Sequence, residues 1–149
     1  TVPSWLYEVK TGGTSIWERW DALRPDGTVN LGKDPGSGLV NAVGGGMVSF
    51  NHYANGAVGD WLYRRVAGLE AIEPGYKKFK VAPLVGGGLT SVSCFKKLSS
   101  GTIKINWNFE NGVFVLSINV PFNTSAVITL PDGKSLEVSS GKYVYSVEM

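Results

Sequence analysis

The segment Ser15-Ile16-Trp17-Glu18-Arg19-Trp20-Asp21 sets a carboxylate between two indoles. That grouping suits sugar chemistry. Aromatic rings cover the apolar faces of a pyranose, and a carboxylate binds hydroxyls or activates water. The alternative is that Trp17 and Trp20 are core and that Glu18 pairs with Arg19 or Arg24. A second segment, Ser49-Phe50-Asn51-His52-Tyr53-Ala54, holds the only histidine. Placed at a helix start, His52 stays neutral, because the helix dipole disfavours positive charge there. A neutral imidazole can donate to a hydroxyl or accept from one. The alternative is a structural histidine bonded to backbone.

Other chemistries are excluded by the residues available. One His and one Cys leave no nucleophilic triad, and no Ser lies in a nucleophile elbow. Cys94 falls in a strand pattern and reads as a small buried apolar residue. The runs Gly44-Gly45-Gly46 and Gly86-Gly87-Gly88 lack the Lys-Ser/Thr of a phosphate loop. Asp26-Gly27 and Asp132-Gly133 read as turns, because the later ligands of a calcium loop are missing. A zinc site would need an unusual carboxylate-rich ligand set, so no metal and no cofactor is expected.

The elements that must position these residues differ along the chain. Of 149 residues, 43% are apolar and 17% charged, which suits a globular protein. The net charge of +2 points to no nucleic-acid partner. No apolar run approaches the roughly 20 residues of a membrane span, and Thr1 opens on no basic-then-apolar leader. Residues 1–75 hold four of the five Trp and sum to −2; residues 76–149 hold eight Lys and four acids and sum to +4. The change falls at the turn signal Glu73-Pro74-Gly75. Two domains are therefore expected, 1–73 and 76–149.

In the first, a short helix is expected over Pro3–Val9, with Pro3 near its first position and Gly12-Gly13 as its stop. A longer helix is expected over Phe50–Leu69. Phe50, Tyr53/Ala54, Ala57/Val58, Trp61/Leu62, Val66 and Leu69 follow one face, and Gly68 suits the end. Gly56 and Gly59 suggest that a helix or ligand approaches closely. Two helices cannot enclose four Trp, so this half reads as the end of a larger helical domain. The glycine-rich stretch Leu31–Val43 is expected to be a loop near the mouth of the site.

The second half reads as all-β. Strands are expected over Tyr76–Pro83, Leu89–Leu98, Thr102–Phe109, Val113–Val120, Ala126–Leu130, Ser135–Val138 and Lys142–Val147. Asn111-Gly112 is the strongest hairpin signal, since a type I′ turn needs positive φ at both central residues. About seven short strands at this spacing suggest an antiparallel sandwich. Lys77, Lys78 and Lys80 are expected to be solvated.

Three stretches carry a resemblance. They are Pro3-Ser4-Trp5-Leu6-Tyr7-Glu8-Val9, Thr14-Ser15-Ile16-Trp17-Glu18-Arg19-Trp20-Asp21, and Ser49 through Tyr63. Together with Gly75-Tyr76-Lys77-Lys78-Phe79 and Ala82-Pro83-Leu84, they closely resemble bacterial α-L-rhamnosidases of glycoside hydrolase family 78. The resemblance implies an α+β chain by segment: the last helices of an (α/α)₆ barrel, then a C-terminal antiparallel β-sandwich. It implies inverting hydrolysis of terminal α-L-rhamnose, with Glu18 as general base and His52 as a contact to a rhamnose hydroxyl. Trp17 and Trp20 stay open between sugar platform and barrel core. The general acid would come from helices that this sequence does not contain, so the 149 residues alone are expected to be inactive. The partners implied are rhamnose-containing glycosides, with no nucleic acid and no membrane. An apolar stripe without its barrel neighbours predicts self-association through residues 1–70. Two other roles remain for the sandwich. It could be a non-catalytic carbohydrate-binding module, with Phe109, Phe114, Tyr143 and Tyr145 as candidate platform residues, or a purely structural domain.

Overall fold

The computed structural model describes residues 2–32 and 48–149. It forms two compact units, Thr1–Val58 and Gly59–Met149. Most of the stretch Leu31–Val43 and the run Gly44-Gly45-Gly46 lie outside the described residues.

The first unit opens with helix α1 (Trp5–Lys10). Ser4 caps it, its Oγ accepting from the Tyr7 amide at 3.1 Å, and Glu8 and Lys10 lie at the dipole ends that favour them. Pro3 therefore precedes the cap instead of starting the helix. The expected stop holds: Gly12 has φ +84°, and the Gly13 amide reaches the Glu8 carbonyl at 2.9 Å. Tyr7, Trp17 and Ala22 make a small core, with Leu23 and Val48 packed against it.

The helix expected from Phe50 starts later and is irregular. A 3₁₀ turn covers Ala54–Ala57, α2 covers Val58–Trp61, and a π-helical turn covers Leu62–Val66. Residues 50–53 stay outside because their backbone is otherwise engaged. The His52 amide donates to the Ile16 carbonyl at 2.8 Å, and the Asn51 amide to Ser49 Oγ at 3.1 Å. The single buried face is not realised either. Val66 and Leu69 are buried, whereas Phe50, Tyr53, Trp61 and Leu62 are exposed. A Cβ added at Gly56 or Gly59 would meet nothing within 4 Å, so among the described residues nothing makes the expected close approach.

The second unit holds two four-stranded sheets. Their strands are β1 (Leu69–Ala71), β2 (Lys78–Val81), β3 (Ser91–Leu98), β4 (Gly101–Glu110), β5 (Val113–Val120), β6 (Ser125–Thr129), β7 (Ser135–Val138) and β8 (Gly141–Glu148). One sheet runs β1-β2-β6-β7 and the other β3-β4-β5-β8. All neighbours are antiparallel except β2 and β6, which pair in parallel with Phe79 opposite Ala126 and Val81 opposite Ile128. Strand alternation buries Ile103, Ile105 and Trp107 from β4, and Phe114, Leu116, Ile118 and Val120 from β5, against Phe79, Val81, Ala126 and Ile128. Trp107 also donates Nε1–H to the Val66 carbonyl at 2.9 Å, satisfying the one polar atom of a fully buried indole. The β4–β5 hairpin turns at Asn111 (φ +51°) and Gly112 (φ +77°), as a type I′ turn requires. On β2, Lys80 is exposed, while Lys78 pairs with Glu137 at 2.7 Å.

Candidate active site

The first unit brings two of the sequence-identified segments together. Residues 15–18 lie along residues 49–55 and are fastened to them repeatedly. Ser15 Oγ donates to the Phe50 carbonyl at 2.6 Å, and the Glu18 amide donates to the Ser49 carbonyl at 2.9 Å. Asn55 Nδ2 donates to the carbonyls of both Trp17 and Glu18, each at 3.2 Å. With the His52–Ile16 bond, these fix the backbone on both sides of Glu18.

The Glu18 side chain is itself held. Its Oε2 accepts from the Ser49 amide at 2.8 Å, and the residue is half-buried. Among the described residues it has no ion pair. Arg19 turns instead to Asp21 (Nε to Oδ1 3.5 Å) and to the Asn30 carbonyl (2.5 Å). Arg24 donates to Thr28 Oγ1 and Asn30 Oδ1, each at 3.3 Å. The carboxylate is thus oriented by a neutral backbone donor.

His52 lies in the facing segment, half-buried and stacked on Tyr53 with ring centroids 4.9 Å apart. Its Nδ1 accepts from the Ala54 amide at 3.0 Å. That bond occupies Nδ1 and, among the described residues, leaves Nε2 without a hydrogen-bond partner. One local amide thus orients the ring.

The two indoles separate. Trp17 is 4% exposed and packs edge-on against Tyr7 (6.4 Å) and Phe50 (5.1 Å), so it belongs to the core of the unit. Trp20 is 41% exposed, with its ring edge-on to Trp5 at 5.7 Å. Only Trp20 offers an indole surface. Asn55 and Ser49 hold this segment through bonds that sequence reasoning missed. The bonds they make to Trp17 and Glu18 span more than 30 residues, and no local spacing signals them.

The aromatic candidates on the sandwich do not form an outward platform. Phe114 is fully buried, and Phe109, Tyr143 and Tyr145 pack against the core. Tyr143 and Tyr145 do stack, 6.3 Å apart and 13° from parallel. Burial raises the Cys94 thiol above its ordinary value, with Lys96 opposing in part.

A family model described as the bacterial alpha-L-rhamnosidase C-terminal domain matches residues 68–144, and one described as the bacterial alpha-L-rhamnosidase 6 hairpin glycosidase domain matches residues 1–66. The chain belongs to the bacterial α-L-rhamnosidase family. Its two segments are the end of a six-hairpin barrel and a C-terminal β-sandwich, as the resemblance implied. An alpha-L-rhamnosidase of Streptomyces avermitilis is 37% identical over 131 residues, which are 88% of this chain and 12% of that protein. The crystal structure of native α-L-rhamnosidase from Aspergillus terreus superposes with a TM-score of 0.82 at 38% identity, over 99% of this chain and 16% of that one. The Streptomyces avermitilis enzyme complexed with L-rhamnose superposes with a TM-score of 0.81 at 33% identity, over 99% and 15% respectively. The chain therefore spans less than a sixth of the length of these relatives.

Proposed function

We propose that this chain is the C-terminal part of an inverting α-L-rhamnosidase and supplies its general base, Glu18. The end of the catalytic barrel is followed by the β-sandwich domain, whose first strand, Leu69–Ala71, comes before the Glu73-Pro74-Gly75 turn. The observation that carries the base assignment is the Glu18 carboxylate. It is anchored on Oε2 by the Ser49 amide at 2.8 Å and has no cation paired to it among the described residues. A carboxylate neutralised by a close guanidinium would be a poor proton acceptor.

In the reaction, Glu18 takes a proton from water as that water attacks the anomeric carbon. A carboxylic acid on the opposite face gives a proton to the departing glycosidic oxygen. Inversion requires the two groups to stand about 6.5–9.5 Å apart, leaving room for the water. The acid belongs to the remainder of the barrel. His52 presents Nε2–H to a rhamnose hydroxyl, and Trp20 offers an indole face to the sugar or its leaving group. Trp17, buried, holds the base-bearing segment in place.

The test is Glu18→Gln in the whole enzyme, assayed on an aryl α-L-rhamnoside. General base catalysis is worth roughly 100- to 10,000-fold, so kcat should fall in that range with the fold intact. Near-normal turnover would remove Glu18 from the mechanism. The 149 residues alone, having no general acid, should show no turnover.

A further inference from the structure

The outer face of the sheet β3-β4-β5-β8 carries an arrangement that the catalytic reading does not use. Outward positions alternate with the buried ones, and the strand register places them in rows across the sheet. One row reads Phe95, Lys104, Asn119, Lys142, and the next reads Ser93, Asn106, Ser117, Val144. Lys97 stands opposite Thr102, one step beyond the first row. Two shallow depressions, of about 540 and 430 Å³, share Thr102, Lys104 and Asn106. Together they form a trough from Phe95 on β3 to Lys142 on β8.

Three lysines therefore line one trough, and no acid lines it. The face's two acids, Glu110 and Glu148, lie at the opposite end of their strands. Among the described residues, none of Lys97, Lys104 and Lys142 has an ion-pair partner, whereas Lys78 on the other sheet is paired at 2.7 Å. Lys104 and Lys142 flank Asn119 across two strand spacings, about 9.6 Å. Like charges gathered this way repel one another unless an anion spans them.

We propose that this trough binds a polyanionic saccharide chain, one bearing carboxylate or sulfate groups on successive sugars. Ammonium groups on the lysines meet the anions. The amides of Asn106 and Asn119 and the hydroxyls of Ser93 and Ser117 meet sugar hydroxyls between them. Phe95, 60% exposed at one end, can cover an apolar ring face. A nucleic acid fits less well, because the trough has no series of exposed aromatics on which bases would stack. The proposal is independent of the role of Glu18.

Affinity electrophoresis of the chain through gels containing polygalacturonate, dextran sulfate, neutral dextran or a single-stranded oligonucleotide tests it. Retardation is expected in one or both saccharide polyanions, weakening with salt, and not in neutral dextran; the stronger of the two identifies the anion. Lys104→Gln with Lys142→Gln should weaken that binding by about tenfold, the combined loss of two partly screened charge contacts. Lys77→Gln with Lys80→Gln removes the same net charge elsewhere and should leave binding within about twofold. No retardation by either polyanion would overturn the proposal. So would equal losses in the two double variants, or tighter binding of the oligonucleotide than of either saccharide.

Discussion

Replacing Gly68 by alanine adds one methyl group at a position with no room for it. Gly68 has φ +81°, and a Cβ there would lie 2.3 Å from the Pro83 nitrogen and 2.4 Å from the Ala82 carbonyl carbon. Both are backbone atoms, so no rotamer change relieves the contact. The 2.3 Å approach is about 1 Å inside ordinary van der Waals distance, and the chain must separate by that much. Separation breaks the 2.9 Å bond from the Ala82 amide to the Gly68 carbonyl and loosens Leu69 in the core. The positive φ alone costs about 1–2 kcal/mol for a residue with a Cβ. The broken bond adds about 1 kcal/mol, and the displaced core packing about 1–3 kcal/mol. The sum is about 3–6 kcal/mol, at or beyond the upper end of ordinary single substitutions. For a unit of this size each kcal/mol moves Tm by about 4–8 °C, so a fall of at least about 12 °C is expected in calorimetry. A fall of less than about 4 °C, equivalent to 1 kcal/mol or less, would mean that the Gly68–Ala82 contact is not as close as described, and the reasoning fails.

The other predictions concern the turn, the thiol and the exposed apolar residues. Asn111→Ala should cost about 1 kcal/mol in urea denaturation, because alanine tolerates positive φ poorly, while Asn111→Gly should be nearly neutral. Cys94 should react with iodoacetamide more slowly at neutral pH than an unfolded thiol, as its thiolate is disfavoured by burial. By linkage, the raised thiol contributes stability below its unfolded pKa that is lost as pH rises through the folded one, so urea midpoints should fall above pH 9. Phe50, Tyr53, Trp61 and Leu62 are all exposed. The chain should therefore self-associate through residues 1–70 in sedimentation, and a monomer across the concentration range would contradict this.

The sandwich was legible because strand alternation is a local signal. Ile103, Ile105 and Trp107, then Leu116, Ile118 and Val120, show their buried side in the order of residue types alone, and Asn111-Gly112 marks the turn between them. Strand β1 was not legible. Leu69-Glu70-Ala71 continues a helical rhythm, and only pairing with Phe79–Val81 makes it a strand. The parallel contact of β2 with β6 joins segments more than 40 residues apart and leaves no trace in either. At the candidate site, residue types pointed to Glu18 and His52. Spacing could not decide which indole is buried, since Trp17 and Trp20 lie three apart and part ways only through Tyr7, Phe50 and Trp5. The later start of the helix was hidden for a similar reason. His52 and Asn51 spend their amides on Ile16 and Ser49, bonds that no helical pattern contains.

The acceptor for Trp107 Nε1 has a practical consequence. Both the Val66 carbonyl and strand β1 precede the Glu73-Pro74-Gly75 turn, yet both belong to the second compact unit. A protein engineer who released the all-β module by starting at Tyr76 would leave an indole N–H stranded in hydrocarbon and bare one margin of β2 to foreign strands. Beginning the excised piece at Gly59 keeps the plug and the hem together.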